Sequence, residues 1–331
     1  MRTLTVFTPT YNRQHTLLRT YESICNQTCH NVDWLIIDDG SKDGTREWIE
    51  SLGSKAIASG IKYDWMGRCL EGMDENHFVI EACFSDGDLL RIEYVYKPNG
   101  GLYTGYNVAY QTIKTELCVC VDSDDYLPED GVEKIIKSWT SQSEFSRNKY
   151  CGITGLDFNV VDQSPIGGFF PEGLPSIFFN ELRLKKYHVG DTKQVMRTEL
   201  MRKVAPMIGF EGERNFNPIY MLIQVMDKYP VILLNDNLCW VEYQIGADSM
   251  SQGIFKQYIN SPRSFAKMRK LEMCLEHNTL KDRFRSAIHY VSSCLIAKDK
   301  NWLKCSPKKF QTLLAAPLGL VLYFYIIAKS K

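Results

Sequence analysis

At 331 residues, 44% hydrophobic and 24% charged, the chain has an ordinary globular composition, long enough for one large domain or two modest ones. Lysine plus arginine and aspartate plus glutamate number 39 each, so no overall charge draws the protein to nucleic acid. Its 11 cysteines form no Cys-x-x-Cys pair, which argues against a zinc site or a disulfide framework and for a reducing cytosol.

Residues 4–8 (Leu-Thr-Val-Phe-Thr) enter a strand directly, with no signal peptide ahead of it. The loop Pro9-Thr10-Tyr11-Asn12-Arg13 follows, and Leu17, Leu18, Tyr21, Ile24 and Cys25 then recur at helical spacing. Trp34-Leu35-Ile36-Ile37 is a second buried strand ending in Asp38-Asp39-Gly40-Ser41, before a helix carrying Trp48, Ile49 and Leu52. Strand and helix alternating at this spacing predict a parallel sheet with helices on both faces. Residues 53–90 mix Gly, Asp and aromatics and read as an insertion holding small strands such as Phe78-Val79-Ile80-Glu81. Residues 92–96 are the third strand, leading through Lys97-Pro98-Asn99-Gly100-Gly101 into a helix from about 103 to 114.

Leu117-Cys118-Val119-Cys120-Val121 is too short for a free-standing helix and reads as a buried strand. It breaks into Asp122-Ser123-Asp124-Asp125, acids at the carboxyl edge where open α/β sheets keep their ligands. Alternation along an extended segment lets Asp122 and Asp124 point the same way, and two such carboxylates suit a hard divalent cation whose open positions are filled by diphosphate oxygens. An acidic turn opening the helix at Pro128-Glu129-Asp130 is the plainer alternative. Helices at 132–139 and 221–226, strands at 153–161 and 231–234, and helices over 262–297 complete the pattern. Residues 312–328 are almost wholly apolar, bracketed by Lys308, Lys309, Lys329 and Lys331 and interrupted by Pro317. Length and flanks suit a segment lying in a bilayer interface, with a short membrane span or a buried terminal helix as alternatives.

Thr8-Pro9-Thr10-Tyr11-Asn12-Arg13, Ile36-Ile37-Asp38-Asp39-Gly40-Ser41, Asn99-Gly100-Gly101 through Asn107, and Val121-Asp122-Ser123-Asp124-Asp125 occur in the order found in family 2 glycosyltransferases, which the chain resembles over about its first 40%. Asp191, Val195-Met196-Arg197-Thr198 and Gly212-Glu213-Arg214 are similar to the branch that builds bacterial surface polysaccharides. The resemblance implies a GT-A fold: an α/β nucleotide-diphospho-sugar transferase sandwich with a mostly parallel central sheet, plus a C-terminal helical region. Its implied divisions are residues 1–245 (nucleotide-sugar half about 1–126, acceptor half about 127–245), a helical extension 246–305 and a membrane-associating segment 306–331.

The same resemblance implies an inverting transfer from a UDP-sugar, with Mn or Mg, to a glycan or polyprenyl-linked acceptor at the inner face of the plasma membrane. Thr8, Pro9, Tyr11 and Arg13 would shape the nucleotide pocket, Asp39 would bond the uracil or ribose, and Lys97, Asn99 and Gly100 would sit near the diphosphate or sugar. Asp122 and Ser123 would border the donor, Asp124 with Asp122 would hold the cation, and Asp125 would stabilise the next helix. Glu213 aligns best as the general base, with Glu211 and then Asp191 behind it, and His188 is an outside candidate for the cation. Leu102-Tyr103 stands where many relatives carry a basic pair. Two other functions compete. A nucleotidyltransferase lacks its glycine-rich phosphate loop here, and a non-catalytic, membrane-bound nucleotide-sugar binder would release no UDP in the presence of acceptor. A Rossmann dehydrogenase would need a G-x-G-x-x-G after the first strand, which is missing.

Overall fold

The computed structural model describes residues 2–58, 60–72, 74–242 and 253–330; the expected division between 245 and 246 lies outside the described residues. Its first part runs β1 (Leu4–Thr10), α1 (Gln14–Cys25), β2 (Val32–Asp38), α2 (Thr45–Glu50), β3 (Ser54–Ala58), β4 (Lys62–Tyr63), β5 (Cys69–Leu70), β6 (His77–Cys83), β7 (Leu89–Tyr96), α3 (Leu102–Thr112) and β8 (Leu117–Cys120). Then come α4 (Gly131–Thr140), α5 (Glu144–Arg147), β9 (Gly152–Asn159), β10 (Ser176–Ile177), α6 (Phe179–Leu184), β11 (Thr192–Arg197), α7 (Thr198–Val204), α8 (Ile219–Met226) and β12 (Val231–Val241). Four helices close the chain: α9 (Ile254–Asn260), α10 (Pro262–Glu272), α11 (Leu280–Ile296) and α12 (Lys309–Lys329).

Ten strands form one sheet in the order β10-β12-β9-β11-β8-β1-β2-β7-β6-β3. Its centre, β8-β1-β2-β7, is parallel, as the strand–helix alternation predicts. Both flanks depart from that pattern. The 53–90 region folds back, with β6 antiparallel to β7 and β3 antiparallel to β6. On the other side β11 is antiparallel to both β8 and β9, and β12 runs parallel to β9. The period-two alternation of the central strands divides the core between the sheet's faces. Leu4 and Val6 of β1 and Trp34 and Ile36 of β2 join one apolar cluster; Phe7, Leu35 and Ile37 join the other. Met268 and Leu275 also belong to the second cluster, so α10 and the turn after it rest on the main core.

The terminal apolar stretch is a single helix that continues through Pro317. Only Thr312, Ala315, Gly319 and Ile326 are buried, a narrow stripe laid against α11. Gly319 permits that approach, since a Cβ there would stand 2.6 Å from the Cβ of Val291. The rest of the helix turns Phe310, Leu314, Leu318, Val321 and Phe324 to the outside.

Candidate active site

The carboxyl ends of β1 and β8 and the start of β11 surround a cleft of about 870 Å³. Pro9 lines it from the end of β1, Tyr11 and Arg13 from the loop after it, and Asp122, Ser123, Asp124 and Asp125 from the turn after β8. Asp191 and Lys193 reach it from β11 and its preceding loop, Asp157 from β9, and Asn217, Pro218 and Ile219 from the start of α8. The loop carrying Tyr11 is held by its neighbour. The Asn12 amide donates to Ser41 Oγ (2.9 Å), the Lys42 amide to Asn12 Oδ1 (2.8 Å) and the Gln14 amide to Asp43 Oδ2 (3.1 Å). Tyr11 itself is half exposed, presenting an aromatic face to the cleft.

The acidic turn is closed by the Asp125 amide donating to the Asp122 carbonyl at 3.0 Å. Arg19 of α1 donates to the Asp124 carbonyl (2.5 Å), pairs with Glu242 (2.6 Å) and stacks over Tyr126 at 4.9 Å. Asp125, expected to serve the following helix, instead faces Lys193 at 3.5 Å, and Asp130 occupies the N-cap position of α4. Lys193 also lies 3.8 Å from Asp157. These three groups are buried beneath the cleft. Burial, with Asp122, Asp124 and Asp157 adding negative charge, pushes the Asp125 carboxyl up to about 7 although Lys193 opposes the shift. Burial likewise lifts Asp157 to about 6 against the same lysine. Burial disfavours the charge on Lys193, but Asp157 and Asp125 outweigh it and keep the ammonium protonated. Lys193 therefore answers two acids that the sequence did not single out for the site.

Several candidate residues lie elsewhere. Thr8 is buried in β1 and accepts a hydrogen bond from Trp34 Nε1 at 3.0 Å. Asp39 is consumed by a structural clasp: it is paired with the fully buried Lys97 and accepts from the amides of Gly100 (2.9 Å) and Gly101 (2.8 Å). Asn99 Nδ2 donates to the Asp39 carbonyl at 2.8 Å. The two glycines are required by close approach: a Cβ on Gly100 would be 1.9 Å from the Trp65 carbonyl, and one on Gly101, at φ 96°, 2.4 Å from that of Arg214. The Asn99-Gly100-Gly101 turn thus packs under two loops and does not line the cleft. Glu213 also lies outside it. Its carboxylate accepts from the Arg263 amide (3.0 Å), Arg263 Nε (2.9 Å) and the Ser264 amide (2.7 Å), bonding the first turn of α10. Glu211 is exposed beside it. His188 packs on Phe170 with ring centres 5.0 Å apart and is held towards the neutral form by burial.

A parallel-centred sheet whose strand ends converge on an acidic cleft, with an aromatic and an arginine at its rim, is the architecture of the GT-A fold. The sequence profile of glycosyl transferase family 2 matches residues 5–75. Glycosyltransferase GlyG of Streptococcus pneumoniae serotype 4 is 23% identical over 250 residues, 71% of this chain and 69% of that protein. Bacillus subtilis TuaG, described as a teichuronic acid biosynthesis glycosyltransferase, is 26% identical over 176 residues, 52% of this chain and 54% of the relative. The crystal structure of S. aureus TarS 1–349 in complex with UDP-GlcNAc superposes with a TM-score of 0.55 at 13% identity, covering 98% of this chain and 90% of that one. Residues 5–75 thus resemble family 2 glycosyltransferases, and the chain as a whole has the GT-A fold.

Proposed function

We propose that the enzyme transfers a hexosyl or N-acetylhexosaminyl group, with inversion, from a UDP-linked donor to a hydroxyl of a glycan or lipid-linked acceptor in bacterial surface-polysaccharide synthesis. The observation that carries this reading is a shared cleft in which Asp122 and Asp124 of the β8 turn meet Asp191 of the β11 loop, with Tyr11 and Arg13 at its entrance. Tyr11 stacks on the base and Arg13 bonds phosphate oxygens. Asp191 takes the proton of the acceptor hydroxyl as its oxygen bonds to the anomeric carbon; the bond from that carbon to the diphosphate oxygen breaks on the opposite face and UDP departs. The description of TuaG as a teichuronic acid biosynthesis glycosyltransferase supports a polysaccharide product, and TarS was solved with UDP-GlcNAc.

The donor set fits a hard divalent ion. Asp122 and Asp124 supply carboxylate oxygens, and among the described residues neither forms an ion pair, because Lys193 is turned to Asp125 and Asp157. These two residues would hold Mn or Mg, which when bound stabilises negative charge on the leaving diphosphate. The exposed apolar face of α12, flanked by lysines, seats the enzyme on the inner surface of an anionic membrane.

Screening UDP- and GDP-sugars with and without Mn by thermal shift tests the reading, since a ligand at 100 times its Kd adds about 2.7 kcal/mol of apparent stability. A Mn-dependent upward shift with a UDP-sugar is expected, and Asp124→Asn should remove it while keeping its own cooperative unfolding. A shift of equal size in that variant, or in excess chelator, rules the cation out of donor binding.

A further inference from the structure

A second cavity, of about 700 Å³, opens between α10, α11 and the turn leading into α12. Its apolar lining comes from Ala266, Leu271 and Ala297, with the rings of Phe210, Tyr220 and Tyr290. Three cations enter this mostly hydrocarbon space. Arg263 is engaged by Glu213 and sits 5.1 Å over Phe210. Lys267 has its Nζ 2.6 Å from the Ile208 carbonyl and within 5.6–5.8 Å of the rings of Phe210, Phe216 and Tyr220. Lys270 lies 5.5 Å over Tyr290. Among the described residues neither lysine has a carboxylate within ion-pair distance, although Asp299 lies on the wall. Burial lowers the Lys267 ammonium below its ordinary range, the mark of a charge held among rings without a counter-ion.

The cavity also has a defined place. Asn217, Pro218 and Ile219 line the catalytic cleft, and the next residue, Tyr220, lines this cavity, so the start of α8 is a partition common to both. On its far side Cys305 and Pro307 lead into α12 and its outward apolar face. A ligand with an anionic head and a hydrocarbon body matches the lining, and one that also belongs to the membrane and must reach the cleft matches the location. The geometry points to this cavity as the seat of the acceptor's lipid phosphate: a phosphate ester on a hydrocarbon chain, its head between Lys267 and Lys270 and its chain along the apolar wall toward α12. Naming the amphiphile as acceptor rests on the glycosyl-transfer reading; its binding here does not.

Cysteine reactivity in the full chain tests the site. Cys274 and Cys305 line the cavity and are exposed, while Cys69 and Cys83 are exposed in the 53–90 region and serve as internal references. Farnesyl phosphate should slow alkylation of Cys274 and Cys305, mapped by peptide mass spectrometry, and leave Cys69 and Cys83 unchanged. Farnesol and inorganic phosphate, each carrying half of the chemistry, should protect far less. Lys267→Gln with Lys270→Gln should abolish the protection while the variant keeps the wild-type thermal shift with a UDP-sugar. Equal protection by farnesol, or undiminished protection in the double variant, overturns the site. Equal protection by short-chain phosphatidylglycerol makes it a general anionic-lipid site and overturns the acceptor assignment. Protection that holds while no nucleotide-sugar binds removes the transfer reading and leaves the lipid-phosphate site standing.

Discussion

Asp191 and Glu213 are placed differently. Asp191 lines the cleft, whereas Glu213 ties its loop to the first turn of α10 through Arg263 and the Ser264 amide. Asp191→Asn should lower turnover by roughly 100- to 10,000-fold with little change in unfolding, the usual worth of a general base. Glu213→Gln should cost about 1–2 kcal/mol in urea unfolding, as lost helix caps do, and leave turnover near wild type. If the two outcomes are exchanged, the base is Glu213. Asp157 shares the pH dependence with Asp125, both carboxyls being lifted by burial. The Asp157 carboxyl is lifted from an ordinary 3.8 to about 6, so between those values the folded protein holds a proton that the unfolded chain has lost. Its contribution therefore favours the fold below about 4 and falls away as pH rises through about 6. Urea unfolding at pH 4.5 and 6.5 should show a smaller drop in Asp157→Asn than in wild type; equal drops would assign the effect to another group. Of the residues that the sequence motifs offered, Tyr11, Arg13, Asp122 and Asp124 line the cleft. The motifs could not show that Asp39, Lys97 and Asn99 bond to one another away from the cleft, because good turn chemistry and ligand chemistry use the same side chains.

Strands buried on both faces were legible as short apolar runs, which is why β1, β2 and β8 can be read directly from the chain. β11 was not, because Thr192-Lys193-Gln194 carries polar groups whose partners, Asp125 and Asp157, come from distant strands. The sequence alone also left the terminal helix open among three placements. Its structure shows a thin stripe packed on α11 and a broad apolar face turned outward. The two sides should respond to different changes. Gly319→Leu drives a side chain into Val291 and should destabilise the helical end by about 1–3 kcal/mol, the usual range for overpacking, measured by thermal unfolding. Leu318→Ser with Val321→Ser and Phe324→Ser alters only the outer face. It should weaken co-sedimentation with phosphatidylglycerol vesicles while leaving the UDP-sugar thermal shift intact; unchanged sedimentation would remove α12 from membrane attachment.

Across the whole molecule, the acidic cleft is a seam between parallel and antiparallel pairing. Val119 of β8 sits between Val6, early in the chain, and Val195, far along it. That arrangement sets an order on biosynthesis. A ribosome that has delivered residue 126 has already made β1, β2, β7 and β8, yet β11 has still to be translated and β8 remains an unpaired edge. Such an edge, with Cys118, Val119 and Val121 still uncovered on it, is a template for pairing with another nascent chain. A released 1–126 fragment should therefore self-associate in light scattering at micromolar concentration, and a monomeric fragment that binds UDP would show instead that the first half folds alone. For the intact protein, the acidic strand end assumes its final surroundings only after Arg197 has left the exit tunnel, so the enzyme's activity should emerge late in its synthesis.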